Sequence, residues 1–145
     1  MKKIVLILIV ISTITIGCSK YDRTLKKIYA LYTIQKYEVD GIDSLDLYKK
    51  ALGLNFNFYY QEENDINCLQ ITGITSTGVQ SHYHALWSLN EDNKTLKFRG
   101  AHLFYGLSTG PFGTGINLQW QIVRLTNRYF EIKTNYNGKE YYLVL

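Results

Sequence analysis

The chain has 145 residues, of which 46% are hydrophobic, and it carries 16 Lys and Arg against 12 Asp and Glu, a net charge of +4. This length suits one domain around one hydrophobic core. The Lys and Arg residues form no run along the sequence of the kind that binds nucleic acid, so we expect no nucleic-acid partner.

The first 17 residues have the layout of a secretory signal. Two lysines precede an apolar run over residues 4–11, which is too short to remain as a stable membrane-spanning anchor. Residues 14–18, ITIGC, resemble the lipobox of bacterial lipoproteins. The resemblance implies that residues 1–17 are a lipoprotein signal peptide and that Cys18 is diacylated on its sulfur. A plain secretory signal and a short membrane anchor are the alternatives.

Removal of this signal changes the charge and the cysteine count. The remaining 128 residues carry 14 basic and 12 acidic side chains, a net charge of +2. With Cys18 lipidated, Cys68 has no cysteine to pair with, and its place in the apolar run 66–74 predicts a buried core thiol. Residues 18–28 are interpreted as the lipidated N-terminus and a polar tether, with at most one helical turn at residues 25–28.

The residues after Cys18 bear on where the lipid is held. Ser19 is not the aspartate of an inner-membrane retention signal, which favours the outer membrane of a Gram-negative bacterium. Lys20 and Tyr21 do not begin the acidic stretch that surface-export signals of Bacteroidota lipoproteins tend to have. We therefore expect a lipid-anchored protein of the cell envelope that faces the periplasm.

From residue 31 onwards, hydrophobic and polar residues alternate as in β-strands. The segments with this pattern are residues 31–39, 55–62, 66–75, 79–89, 95–105, 117–125, 129–136 and 140–145. A brief helix is predicted at residues 45–52, with Asp43 or Ser44 as its cap. Asn137-Gly138 predicts a type I′ hairpin turn, because both residues tolerate a positive φ. About eight short sequential strands predict an all-β, up-and-down antiparallel barrel over residues 29–145, with a β-sandwich as the alternative.

Several of these segments also resemble the small lipocalin-like lipoproteins of Bacteroidota. The likeness rests on Tyr32-Thr33-Ile34 running into residues 37–43, on Asn55-Phe56-Asn57-Phe58, on Trp87-Ser88-Leu89 with Leu96-Lys97-Phe98, and on residues 120–126 before residues 129–132. The resemblance implies a lipocalin-like β-barrel in a lipoprotein. Because one fold hosts many functions, it does not identify a ligand.

Aromatic residues on the inward face of the predicted strands are the candidate ligand-binding residues. They are Tyr83, Trp87, Phe98 and Trp120. In a small barrel such side chains either fill the core or line a cavity for one small ligand. The glycine-rich segment 106–115 is expected to be a long hairpin loop, or a lid or partner-contacting finger led by Phe112 at the barrel mouth.

Three histidines form the clearest candidate metal-binding group in the sequence. His82 and His84 share one face of a strand, and His102 on the next strand is a third ligand if the register brings it opposite. The alternative, which we favour, is that these histidines face solvent. We therefore predict no metal site.

No sequence pattern predicts catalysis. Ser81, His82 and Asp92 supply the residue types of a hydrolytic triad, but no nucleophile-elbow pattern surrounds the serine. We expect a non-catalytic protein without a cofactor that binds a small apolar ligand or lipid inside the barrel. The alternative is a protein-interaction module, such as an inhibitor or a subunit of an envelope complex, that acts through its loops.

Overall fold

The computed structural model describes residues 19–46, 55–74, 78, 80–104 and 117–145. These residues contain one α-helix, ten β-strands and one short 3-10 turn. The elements are α1 (Lys20–Ile28), β1 (Leu31–Thr33), β2 (Lys36–Val39), β3 (Ile42–Asp43), β4 (Asn55–Gln61), the 3-10 turn Glu62–Asn64, β5 (Ile66–Ile74), β6 (Gln80–Leu89), β7 (Thr95–Phe104), β8 (Asn117–Leu125), β9 (Phe130–Tyr136) and β10 (Lys139–Val144).

The strands form a single curled antiparallel sheet in the order β1-β4-β5-β6-β7-β8-β9-β10-β2-β3. Each strand from β4 to β9 pairs with the strand that follows it along the chain. Strands β1 and β2 are separated by only two residues, yet they pair with opposite edges of this meander, with Tyr32 opposite Phe56 and Tyr37 opposite Leu143. The prediction of an all-β, lipocalin-like antiparallel barrel is confirmed. If β1 and β2 are counted as one bent strand and the two-residue β3 is set aside, the barrel has the expected eight strands.

Two tight turns have the backbone that their residues predict. Asn137 and Gly138 have φ values of 50° and 76°, and they join β9 to β10. Asp40 and Gly41 have φ values of 53° and 76°, and they join β2 to β3. Positive φ at both central positions matches the right-handed twist of the flanking strands, so both hairpins close without splaying the sheet.

The segment interpreted as a tether is instead the nine-residue helix α1. Ser19 and Asp22 form a reciprocal capping box, in which the Asp22 backbone N–H donates to Ser19 Oγ at 3.1 Å. Ile28 is fully buried, and Leu25 and Tyr29 pack against the same core. The expectation of at most one helical turn is therefore wrong, because burial of this apolar stripe stabilises the whole helix. Within the described residues, no helix has the length and apolar character needed to cross a membrane.

Strand β7 contains one extra residue relative to β6. Ala85 pairs with Gly100 whereas His84 pairs with His102, so Ala101 lies in a β-bulge. A strict alternation groups His102 with Leu96 and Phe98 on one face of the strand. The bulge reverses this parity and places position 102 on the face that carries His84.

The two ends of the barrel differ. At one end the strands are joined by the short connections 62–65, 90–94 and 126–129, and α1 packs there; we call this the helix end. At the other end, the loop end, segments 44–54, 75–79 and 105–116 join the strands. The predicted helix at residues 45–52 falls mostly outside the described residues, although Asp43 does accept a hydrogen bond from the Leu45 N–H at 3.0 Å.

Candidate functional site

Three of the predicted ligand-binding residues lie in the buried core. Trp87, Phe98 and Trp120 are all buried, and Trp120 is fully so. The Phe98 and Trp120 rings meet edge to face with centroids 6.0 Å apart. The Trp87 indole N–H donates to the Cys68 carbonyl at 3.0 Å, so its polar atom is satisfied inside the protein. In the structure these side chains contact one another as packing partners.

The aromatic packing extends across the width of the barrel. Phe58 on β4 lies 5.4 Å from Phe130 on β9 and 6.2 Å from Phe98 on β7, measured between ring centroids. Neither β7 nor β9 is a neighbour of β4 in the sheet. These contacts therefore bridge the interior. We call Phe58, Trp87, Phe98, Trp120 and Phe130 the aromatic core.

Cys68 is buried, as the sequence predicts, but it does not lie in the core. Its partners in the sheet are Tyr59 and Leu86, whereas the neighbouring Leu69 faces the core, so Cys68 lies on the outer face of β5. Its Sγ lies 3.7 Å from the side-chain oxygen of Gln61, a weak hydrogen bond. Its backbone carbonyl accepts the Trp87 bond described above. The residue therefore has a packing role, as a small hydrophobe between β4 and β6.

Tyr83, the fourth predicted residue, lies closer to the loop end. Tyr37 and Tyr141 are buried near the same end with ring centroids 6.2 Å apart, and Tyr136 lies 6.5 Å from Tyr141. We call Tyr37, Tyr83, Tyr136 and Tyr141 the loop-end tyrosines. Tyr83 and Tyr141 are recognisable in the sequence as inward aromatic residues, whereas Tyr37 and Tyr136 were not predicted to belong to the site, although their alternation in β2 and β9 was visible.

Burial controls the ionisation of these tyrosines. Desolvation raises the pKa of Tyr83 to about 12. Desolvation, followed by the nearby Tyr141, raises the pKa of Tyr37 well above its usual range. The pKa of Tyr141 is raised by burial first and then by Asp40. The hydroxyls of all three are therefore protonated at neutral pH, where they act as hydrogen-bond donors and acceptors and not as bases.

Two predicted positions lie outside the described residues. Phe112 and the whole glycine-rich segment 106–115 belong to the connection between β7 and β8. Cys18 directly precedes the first described residue, Ser19, which caps α1. For Cys18 and for segment 106–115, the structure therefore describes only the flanking elements, which are α1 for the first and β7 and β8 for the second.

The β6–β7 register brings two of the three histidine positions together. His84 lies directly opposite His102 and, on the other side, opposite Gln70. His82 lies opposite Phe104 and Thr72. Among the side chains that the structure describes, no group of three metal-binding residues occurs, and those of His82 and His102 are outside this set. The absence of a metal site stays a prediction.

The residue types of a hydrolytic triad are not assembled. Ser81 and His82 begin β6 near the loop end, whereas Asp92 lies in the turn after β6 at the helix end. The intervening strand spans about 3.3 Å per residue, which separates these positions by roughly 20 Å or more. Asp92 instead accepts hydrogen bonds from the backbone of Lys94 and the hydroxyl of Thr95, which lower its pKa. Its role is to hold the turn.

The structure also contains an outer cleft of about 420 Å³ that was not predicted from the sequence. It lies on the side of the sheet that faces away from the core and is lined in part by Asp65, Asn67, Ser88, Lys97, Arg99 and Asn117. These residues come from four strands or their ends. Alternation predicts that such positions face solvent but does not predict that they form a concave surface.

No protein-family model and no curated protein matches the chain. The chain is similar in structure to an uncharacterized protein from Bacteroides eggerthii DSM 20697, whose crystal structure was determined at 2.60 Å resolution. The two are 11% identical, with a TM-score of 0.46 over 81% of this chain and 98% of the other. The fold described above rests on the strand pairings of this chain itself.

Proposed function

We propose that the protein is a non-catalytic lipoprotein of the cell envelope that is anchored through Cys18 and binds a partner protein through its loop end. The observation that carries this proposal is that the anchored N-terminus and the long connections between strands belong to opposite ends of the barrel. Helix α1 begins two residues after Cys18 and packs at the helix end. The long connections 44–54 and 105–116 belong to the other end, away from the anchor.

The aromatic core favours this function over a deep ligand cavity. Phe58 contacts Phe130 across the barrel, and Ile28 of α1 is fully buried against the same core. The interior nearest the helix end is therefore filled by the protein's own side chains. Recognition is assigned to the loop end, because the connection between β7 and β8 leaves the barrel there and its sequence contains Phe112 and four glycines.

The loop-end tyrosines favour a second candidate function, the binding of a small apolar or amphipathic ligand. Tyr37, Tyr83 and Tyr141 combine aromatic faces with hydroxyls that stay protonated at neutral pH. Small-ligand sites commonly pair apolar walls with a few polar groups of this kind. On this alternative the ligand enters from the loop end and stops above the aromatic core.

Capture from detergent extracts of the native cells separates the two functions. We expect a stoichiometric protein partner with the lipidated chain, and its loss when residues 107–114 are replaced by a Gly/Ser segment of equal length. The matched point variants are Phe112→Ala and Tyr129→Ala, since Tyr129 is an exposed aromatic side chain at the helix end. Only the first should weaken capture.

Native mass spectrometry of the same preparation supplies the contrary outcome. A bound small molecule that is lost in Tyr83→Ala, together with unchanged capture after loop replacement, would favour the ligand-binding function and overturn the first proposal. The mass of the N-terminal peptide reports separately on the anchor. An unmodified Cys18 in the purified envelope protein would contradict lipidation.

A further inference from the structure

A group of basic residues on α1 and the β8–β9 connection forms one exposed surface, which we call the basic face. Its members are Lys20, Arg23, Lys26, Lys27, Arg124 and Arg128. Four of them lie within residues 20–27, and Arg124 and Arg128 follow about 100 residues later in the chain. The fold brings them together because α1 packs at the same end as the connection between β8 and β9.

The basic face is continuous and rigidly supported. A surface depression of about 640 Å³ follows α1, and a second of about 430 Å³ lies beside Arg124 and Arg128. The two share Lys27 and Asn127 in their linings, so they adjoin. Tyr32 Oη donates a hydrogen bond to the Lys27 carbonyl, which ties the end of the helix to β1.

Few carboxylates neutralise this surface. Asp22 lies on α1, where it accepts hydrogen bonds from the backbone and hydroxyl of Ser19. Arg124 forms an ion pair with Glu131 at 3.5 Å and also lies over the Tyr129 ring. Within the described part of the chain, the other five basic residues form no ion pair. The basic face therefore keeps a surplus of positive charge toward solvent.

We propose that the basic face docks on the anionic phospholipid headgroups of the membrane that holds the Cys18 lipid. The inference rests on the lipid anchor of the proposed function. Lys20 is two residues from Cys18, at most about 7 Å along an extended chain. This is within the Debye length of about 8 Å at physiological ionic strength, so the leaflet charge is felt at the start of the face.

Such docking gives the anchored protein a second membrane contact. A basic residue close to an anionic leaflet strengthens binding about fivefold, the equivalent of about 1 kcal/mol. An acyl anchor combined with a basic patch is a common pairing of membrane signals. Because the basic face is at the helix end, docking also directs the loop end away from the bilayer. The orientation of the barrel relative to the bilayer is thus set by the position of the basic face as well as by the lipid anchor.

Lysine reactivity in reconstituted vesicles tests the docking. The lipidated full chain is placed in vesicles of phosphatidylcholine, or of phosphatidylcholine with one-third phosphatidylglycerol, and acylated with a water-soluble reagent. We expect the acylation rates of Lys20, Lys26 and Lys27 to fall about fivefold in the anionic vesicles. Lys97 and Lys139 are exposed lysines outside the basic face and serve as controls within the same molecule.

The controls decide between docking and other causes. High salt should restore the reactivity of the three α1 lysines, because the contact is electrostatic. The variant Arg23→Gln/Arg128→Gln should reduce the difference between the two vesicle types. Equal rates in both vesicles, or an equal fall at Lys97 and Lys139, would overturn the inference. The N-terminal mass is read in the same samples, so failure of docking is distinguished from failure of lipidation.

Discussion

Phe58 and Phe130 touch across the interior of the barrel, with ring centroids 5.4 Å apart and planes inclined by 66°. Their strands, β4 and β9, are separated in the sheet by four others. The contact joins the two halves of the curled sheet from inside, while the bent segment β1–β2 joins them at the edges. The Phe58–Phe130 contact therefore fills the core of the barrel and also helps to hold the two halves of the sheet together.

Removal of either ring should destabilise the whole domain. We expect Phe58→Ala and Phe130→Ala each to lower the free energy of unfolding by about 3–5 kcal/mol, measured by urea denaturation. The double variant should reveal a coupling of about 0.5–1.5 kcal/mol, the usual energy of an edge-to-face pair. Tyr129→Ala is the surface control and should change stability much less. Fully additive losses would contradict a direct contact.

Helix α1 should behave as part of the folded domain. Ile28 is fully buried, so Ile28→Ala should lower the free energy of unfolding by about 2–5 kcal/mol. Ser19→Ala removes the capping hydroxyl and should cost about 1 kcal/mol. Lys26→Ala, on the exposed side of the same helix, is the control. If Ile28→Ala is as mild as Lys26→Ala, the segment is a tether after all.

The buried tyrosines should make the protein sensitive to alkali. The pKa of Tyr83 is about 12 in the folded protein and about 10 when exposed, so the unfolded chain loses this proton first as pH rises. The contribution of the protonated Tyr83 hydroxyl to the free energy of unfolding is complete below pH 10 and is lost as the pH rises toward 12. Over this range the free energy of unfolding falls by about 1.4 kcal/mol per pH unit for one such group. Tyr83→Phe should flatten this fall in denaturation midpoints. An unchanged slope would contradict the burial.

The β9–β10 turn isolates a purely conformational effect. Gly138 has a φ of 76°, and an added Cβ would meet nothing within 4 Å. Gly138→Ala should therefore cost about 1–2 kcal/mol through backbone strain alone. Lys139→Ala tests the adjacent position without that strain. A neutral Gly138→Ala in thermal denaturation would contradict the turn geometry.

The sequence predicted the strands well because alternation at period two directly reflects which face is buried. Phe56, Phe58, Leu69 and Ile71 all lie inward as expected. Helix α1 was missed because its apolar residues are few and lie among basic ones, so its stability depends on a core that the local pattern does not reveal. The bulge at Ala101 was missed because one inserted residue leaves no compositional signal.

The candidate site was predictable only in part. Inward aromatic residues such as Trp120 were identified, but the sequence could not separate packing from cavity lining, since both require the same positions. In the structure, the contact between the Phe98 and Trp120 rings shows that Trp120 belongs to the packed core. The sequence shows the four basic residues within positions 20–27. It does not show that the basic face extends to the β8–β9 connection, because Lys27 and Arg128 are neighbours only through the packing of α1 on the barrel.

The most direct test of the account is the distance of each barrel end from the membrane in the anchored protein. Lys94→Cys and Lys139→Cys place a dye at the helix end and at the loop end, respectively; both positions are exposed and lie outside the basic face. Energy transfer to a headgroup-labelled lipid should be strong from position 94. It should be weak from position 139, which is farther by roughly 20 Å on strand lengths. Equal transfer, or stronger transfer from position 139, would contradict the claim that anchoring and recognition occupy opposite ends.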